Sequence, residues 1–211
     1  MTGISRGFVL FKKISPVAAL PGCGLLIIAS GRLSHAIIAV CALALVYSLT
    51  TFVIYAAARV FPRHGRTALI SFLASFMAAF FLILLWLISP ICALESFFAV
   101  SLVPIFYMAS GVSKRFDAYS AADSFFSPSF EGLSLGVLLI AFALIREPLG
   151  FLSLSLPGGA QGSVMLFSFS SESLLPVQLI TSSGGALLLL GYFLGIYKYM
   201  NNDREGDKNA Q

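Results

Sequence analysis

The sequence predicts an all-α integral membrane protein of six transmembrane helices, arranged as two inverted three-helix repeats with the first and fourth helices short or broken. Three observations carry that expectation. The chain is too apolar to coat a water-facing surface. Its charges are confined to the ends of apolar runs. Its basic residues fall on alternate sides of those runs.

Of 211 residues, 58% are hydrophobic and 10% charged, and the mean hydropathy is +0.94. A soluble domain carries roughly 25% charged residues. The missing polar surface implies lipid as the solvent. The net charge of +4 does not indicate nucleic-acid binding, because the basic residues lie between apolar runs and do not interleave with aromatics on a polar face. The three cysteines, Cys23, Cys41 and Cys92, are odd in number and sit inside apolar runs, which excludes a secreted disulfide framework.

The runs follow in order. The first lies between Lys13 and Arg32, the second between Arg32 and Arg59, and the third between Arg66 and Glu95. The fourth spans Ser96 to Ser113, the fifth Glu131 to Arg146, and the sixth Leu174 to Tyr197. About 20 apolar residues cross the hydrocarbon core as a helix. The second, third and sixth runs meet that length; the others are shorter or interrupted. A secretory signal peptide is the rival reading of Lys12, Lys13 and the first run. Pro16, Pro21, Gly22 and Gly24 break its apolar core, and no A-x-A site follows. Residues 1–200 then form one transmembrane bundle, and residues 201–211 a disordered cytoplasmic tail.

With six crossings, 11 Lys and Arg residues share a side with both termini, and only Arg32 and Arg146 lie on the other. The positive-inside rule places the rich side, and both termini, in the cytoplasm. Six spans divide into two halves of three, and an odd number per half forces opposite orientations. The first span, with Pro16, Pro21 and Gly22, and the fourth, with Pro104, then correspond. Paired broken helices at corresponding positions point to a binding site at membrane depth. Ordinary kinks are the plainer reading, since Gly and Pro are frequent in membrane helices.

Three features are candidates for a role. Cys23 sits in a Pro-Gly-Cys-Gly turn; it is a candidate soft ligand or a small buried hydrophobe. Arg146 and Glu147 end the fifth run, where Pro148 and Gly150 are expected to stop the helix. Such a pair marks an ion pathway, or snorkels to the headgroups. Gly184, Gly185, Gly191 and Gly195 form a small-residue stripe for close approach of a helix, from this chain or a partner. His35 and His64 sit at span edges without ligand-like company.

With these residues placed, the chain resembles the small membrane subunits of the Rnf and Na+-translocating NADH:quinone reductase (Nqr) complexes over about residues 10–200. Ser15-Pro16-Val17 through Gly22 and Cys23 is similar to the family's first-helix motif, and Gly111–Phe116 to its Gly-Arg-Ala-Glu-Ala-Phe stretch. Glu131-Gly132-Leu133 with Gly136 resembles the next helix start, and Gly184-Gly185-Ala186 the last helix. The most specific match is Ile145-Arg146-Glu147-Pro148-Leu149-Gly150. The resemblance implies a membrane component of an ion-translocating electron-transport complex in the cell inner membrane. Of the family's two sibling types, cytoplasmic termini go with the E-type component of Rnf and the D-type component of Nqr. The resemblance implies a sibling of opposite orientation, the other members of the complex, and the lipid bilayer as partners. It also implies a shared iron–sulfur cluster at the sibling interface, with one cysteine each from the first and fourth helices. Cys23 matches the first ligand. Tyr107 stands where the second is expected, and no cysteine follows Cys92. Val112 and Lys114 likewise replace the family's Arg and Glu. Two alternatives stay open: a small-solute or ion transporter component, and a structural subunit without a cofactor.

Overall fold

The structure, a computed structural model, describes residues 24–56, 65–110, 121–158, 162–168, 178–193 and 195. The chain is mostly helical. Four helices among the described residues are long and apolar enough to cross a membrane. They are α1 (Leu33–Ala56), α2 (Arg66–Ile88), α3 (Pro90–Ala109) and the apolar part, Gly132–Phe151, of α4 (Ala121–Phe151). At 1.5 Å per residue, helices of this length rise about 30–36 Å, enough for the hydrocarbon core. A helical segment, 24–29, precedes α1. After α4 come the strands β1 (Ser153–Pro157) and β2 (Ser163–Ser168), the short helix α5 (Gln178–Thr181) and an apolar helix α6 (Ser183–Phe193).

Helix α1 is the centre of the bundle and packs against α2, α3 and α4. Its buried residues, including Leu43, Val46, Tyr47, Thr50 and Ile54, ring much of its circumference. By contrast α2 buries only Ile70, Ala74 and Ala78, and turns Phe72, Phe76, Ile83 and Leu87 outward. Large apolar side chains facing outward along a whole helix fit a hydrocarbon surround, where they lose nothing by exposure. Against α1, α4 presents small residues. A Cβ at Gly136 would come within 2.8 Å of Val40 Cγ1, and one at Gly132 within 2.8 Å of Tyr47 Cγ. The close helix contact among the described residues therefore uses the Gly132–Gly136 spacing of α4. Gly191 of α6 and Gly195 beyond it meet nothing within 4 Å, so the G-x-x-x-G part of the glycine stripe expected on the sixth run has no neighbour among the described residues.

Three contacts gather the start of α1, the α2–α3 junction and the end of α4 at one end of the bundle. His35 lies 3.0 Å from Glu95. The Arg32 guanidinium lies 5.7 Å from the centroid of the Phe151 ring. A Cβ at Gly162 would touch Ile91. Arg32 and Arg146 thus share an end, and Arg66 lies at the other end of α2.

Several expectations need correction. The fourth helix is neither short nor broken: α3 runs 20 residues, straight through Pro104. The third run does not continue to Glu95, because α2 ends at Ile88 and α3 begins at Pro90. Ser89 makes the boundary. Its extended backbone ends α2 with a bond from its N–H to Leu85 O, and its hydroxyl accepts from Cys92 N at the start of α3. Serine followed by proline is a helix-start signal, because proline's missing N–H costs nothing at the first position.

The helix holding Arg146 also continues past Pro148 to Phe151; it ends at Leu152, whose φ is 50° and whose N–H bonds Pro148 O. The fold is not all-α, because β1 and β2 pair as an antiparallel hairpin. Alternation in Ser153–Leu156, then Pro157-Gly158, is a strand-and-turn signal. The hairpin sits over the bundle end, with Ser155 Oγ donating to Ser34 Oγ at 3.4 Å. The sixth run is interrupted at Ser182, and the six-helix count extends beyond the described residues.

Candidate functional site

Few charges are buried among the described residues, and each of them needs a partner. Arg146 is 3% exposed and Glu147 1% exposed. Neither snorkels. Among their described partners neither binds the other; each serves a different helix end.

A helix leaves its first N–H groups and last C=O groups without intrahelical partners, and in lipid no water supplies them. Such ends arise twice near one end of the bundle among the described residues, once between segment 24–29 and α1 and once between α5 and α6. The breaks converge on Arg146. Its Nη1 donates to Ile27 O and Ser30 Oγ, both at 2.8 Å. Its Nε donates to Ile180 O at 3.0 Å. Its Nη2 donates to Thr181 O at 2.9 Å and Ser182 O at 3.1 Å. A guanidinium has five N–H donors, and each is used. A cation is also the favoured charge at the negative C-terminal end of a helix.

Glu147 acts with the opposite sign. Its Oε2 accepts from the backbone N–H of Leu33 at 2.7 Å, at the start of α1. A carboxylate there meets both an orphan donor and the positive end of the helix dipole. Adjacent residues on a helix point about 100° apart, so one Arg-Glu step reaches two different neighbours. Gly150, one turn beyond Arg146, completes the fit: a Cβ there would lie 2.8 Å from Thr181 Cγ2. Glycine at that place lets α5 come close enough for its carbonyls to reach the guanidinium.

The break at Ser182 has its own cap. Ser182 Oγ accepts from Gly185 N and donates to Leu179 O. Gly185 is pressed against the backbone of Leu179 and Ile180, where a side chain would not fit. The glycines at 184 and 185, expected to share one stripe, therefore divide: Gly185 serves the break and Gly184 faces outward.

The other expected site residues lie elsewhere. Cys23 falls outside the described residues, as do Pro16, Pro21 and Gly22. Tyr107 lies near the far end of α3, fully buried. Its hydroxyl is 3.5 Å from Thr51 Oγ1. Its ring meets Tyr47 edge-on, with centroids 4.8 Å apart and planes at 83°. Tyr47 in turn rests on Gly132. An aromatic stack spanning α3, α1 and α4 thus fills the position where the resemblance expects a thiolate. A hydrogen-bonded phenol is a hard oxygen ligand and does not suit a thiolate-held cluster. Cys41 faces outward on α1, and Cys92 is buried in the first turn of α3.

The residues that knit this site are partly visible in the sequence. Arg146, Glu147 and Gly150 stand in the most specific motif. The two backbone breaks they serve do not stand out, because Ser30-Gly31-Arg32 and Ser182 read as a span edge and as the interior of a run. Comparison with protein-family models gives no match to the chain, and comparison with curated proteins gives none either.

Proposed function

We propose that this chain is a membrane subunit of an Rnf/Nqr-like, ion-translocating electron-transport complex. It sits in the cell inner membrane with both termini cytoplasmic, beside a sibling subunit of opposite orientation. Six spans in two inverted halves are the architecture that goes with this reading. It has no catalytic role alone; it forms part of the path by which the complex moves electrons across the bilayer.

One observation supports the reading above the others. The motif that carries the resemblance most specifically, Ile145–Gly150, has a physical task in this fold. Arg146, Glu147 and Gly150 hold together the ends of helices broken near one end of the bundle. Broken helices are unnecessary for a simple anchor and are used where a membrane protein builds a site.

A second reading, a structural subunit that touches no cofactor, is favoured by Tyr107. The described residues at that position do not fit an iron–sulfur cluster. Cys23 remains the matched thiolate. A cluster, where bound, would supply one-electron transfer between the two faces of the membrane. The transporter reading has less to stand on, because the two buried charges among the described residues are committed to helix ends.

The test is affinity purification of the tagged chain from solubilised native membranes. Flavin-bearing partners and a sibling membrane subunit should co-purify. Recovery of the chain without any flavoprotein would overturn the proposal. Iron and acid-labile sulfide then separate the readings. A cluster signal lost in Cys23→Ser, and kept in Cys41→Ser and Cys92→Ser, supports the conduit. A complex without iron supports the structural subunit.

A further inference from the structure

We propose that the two helix breaks form an oxygen-lined cation site, and that the chain fills this site with its own side chain, the Arg146 guanidinium. The inference stands independently of the complex to which the chain belongs. It rests on the convergence of five oxygens from two segments remote in sequence. Ile27 O and Ser30 Oγ come from the break before α1, and Ile180 O, Thr181 O and Ser182 O from the break before α6.

Unwound backbone and the carbonyl ends of half-helices are the groups that hold a mobile cation inside membrane proteins. Here the same groups surround a cation that cannot leave. The carbonyl ends carry partial negative charge, and without a positive occupant they would face each other across the space that the guanidinium fills. The guanidinium meets each with a separate N–H. No small ion offers that planar, five-donor shape. A cation moving past this point would have to displace the tethered one. The site is therefore a clasp that ties the break before α1 to the break before α6 and leaves no vacancy there for a free ion.

The class of ligand follows from the shape. Once Arg146 is shortened, the emptied cage should accept free guanidinium and discriminate against sodium and tetramethylammonium. The experiment uses the full chain in detergent. Arg146→Ala, Arg146→Lys and the parent are heated, and loss of helical circular dichroism is followed. The additives, at equal low-millimolar concentration, are guanidinium chloride, sodium chloride and tetramethylammonium chloride.

Arg146→Ala should melt well below the parent, and guanidinium alone should restore at least half of the lost transition temperature. Arg146→Lys fills the cage with three donors instead of five; it should melt below the parent and show no response to guanidinium. The parent should not be stabilised by guanidinium. An Arg146→Ala chain stabilised no more by guanidinium than by sodium would overturn the proposal. If Arg146→Ala is recovered only when guanidinium is present during extraction, the proposal is supported. If it is recovered under no condition, Arg146→Lys decides: a transition equal to the parent's overturns the five-donor cage, and a lowered one supports it.

Discussion

Glu147 accepts a 2.7 Å hydrogen bond from the backbone N–H of Leu33, 114 residues earlier in the chain. The bond fixes where α1 begins and ties that point to α4. Arg146, the preceding residue, reaches the ends of two other helical segments. One dipeptide therefore sets the relative positions of segment 24–29, α1, α4 and α5.

Removing the carboxylate should be felt at α1. Glu147→Ala leaves the Leu33 N–H buried without that partner and is expected to cost about 1–3 kcal/mol. Glu147→Gln keeps an acceptor oxygen and loses only the charge, so its cost is expected to be about 1 kcal/mol or less. Thermal melting of the two variants in detergent checks the order. Equal melting of Glu147→Ala and the parent would show that the bond does not hold α1 in place.

Glycine positions should separate sharply. Gly136→Leu must push Val40 aside, and overpacking of this kind costs about 1–3 kcal/mol or more. Gly191→Leu meets open space among the described residues and should leave the isolated protein's melting unchanged. If Gly191→Leu instead lowers recovery of an intact assembly, α6 packs against another subunit there. Melting of the isolated chain, compared with yield of the assembly, distinguishes the two effects.

Tyr107 should behave as a packing residue. Tyr107→Phe keeps the edge-on contact with Tyr47 and loses one long hydrogen bond, at 3.5 Å from Thr51. That change is expected to cost about 1 kcal/mol or less. Tyr107→Ala removes a buried ring and should cost about 3–5 kcal/mol. A Tyr107→Phe variant that melts like the parent yet loses electron transfer in the complex would assign the hydroxyl a role beyond packing.

Sidedness can be read directly. Reporter fusions at Gln211 and within residues 62–67 are expected to report cytoplasmic, and a fusion at Gly158, between the hairpin strands, external. The hairpin shares the bundle end of Arg32 and Arg146, so an external reading at Gln211 would invert the whole arrangement.

The sequence alone determined that the chain carries helices long and apolar enough to cross a membrane. A run such as Leu33–Ala56 is apolar on every face, and no tertiary contact is needed to know that lipid suits it. Charge counting places Arg32 and Arg146 on one side, and they do share one end of the bundle. The motif Arg146-Glu147-Pro148-Leu149-Gly150 stands out in the sequence, but its task is not legible there. Helix ends that need capping are backbone groups, identical in every residue, and carry no side-chain signature of their own. Ser89-Pro90 and Ser153–Gly158 do carry local signals, which the hydropathy of the long runs masks. Only the tertiary structure decided that Arg146 and Glu147 turn away from each other. A side chain's partner is set by which remote backbone ends arrive beside it, and here those ends come from residues 27, 33 and 180–182.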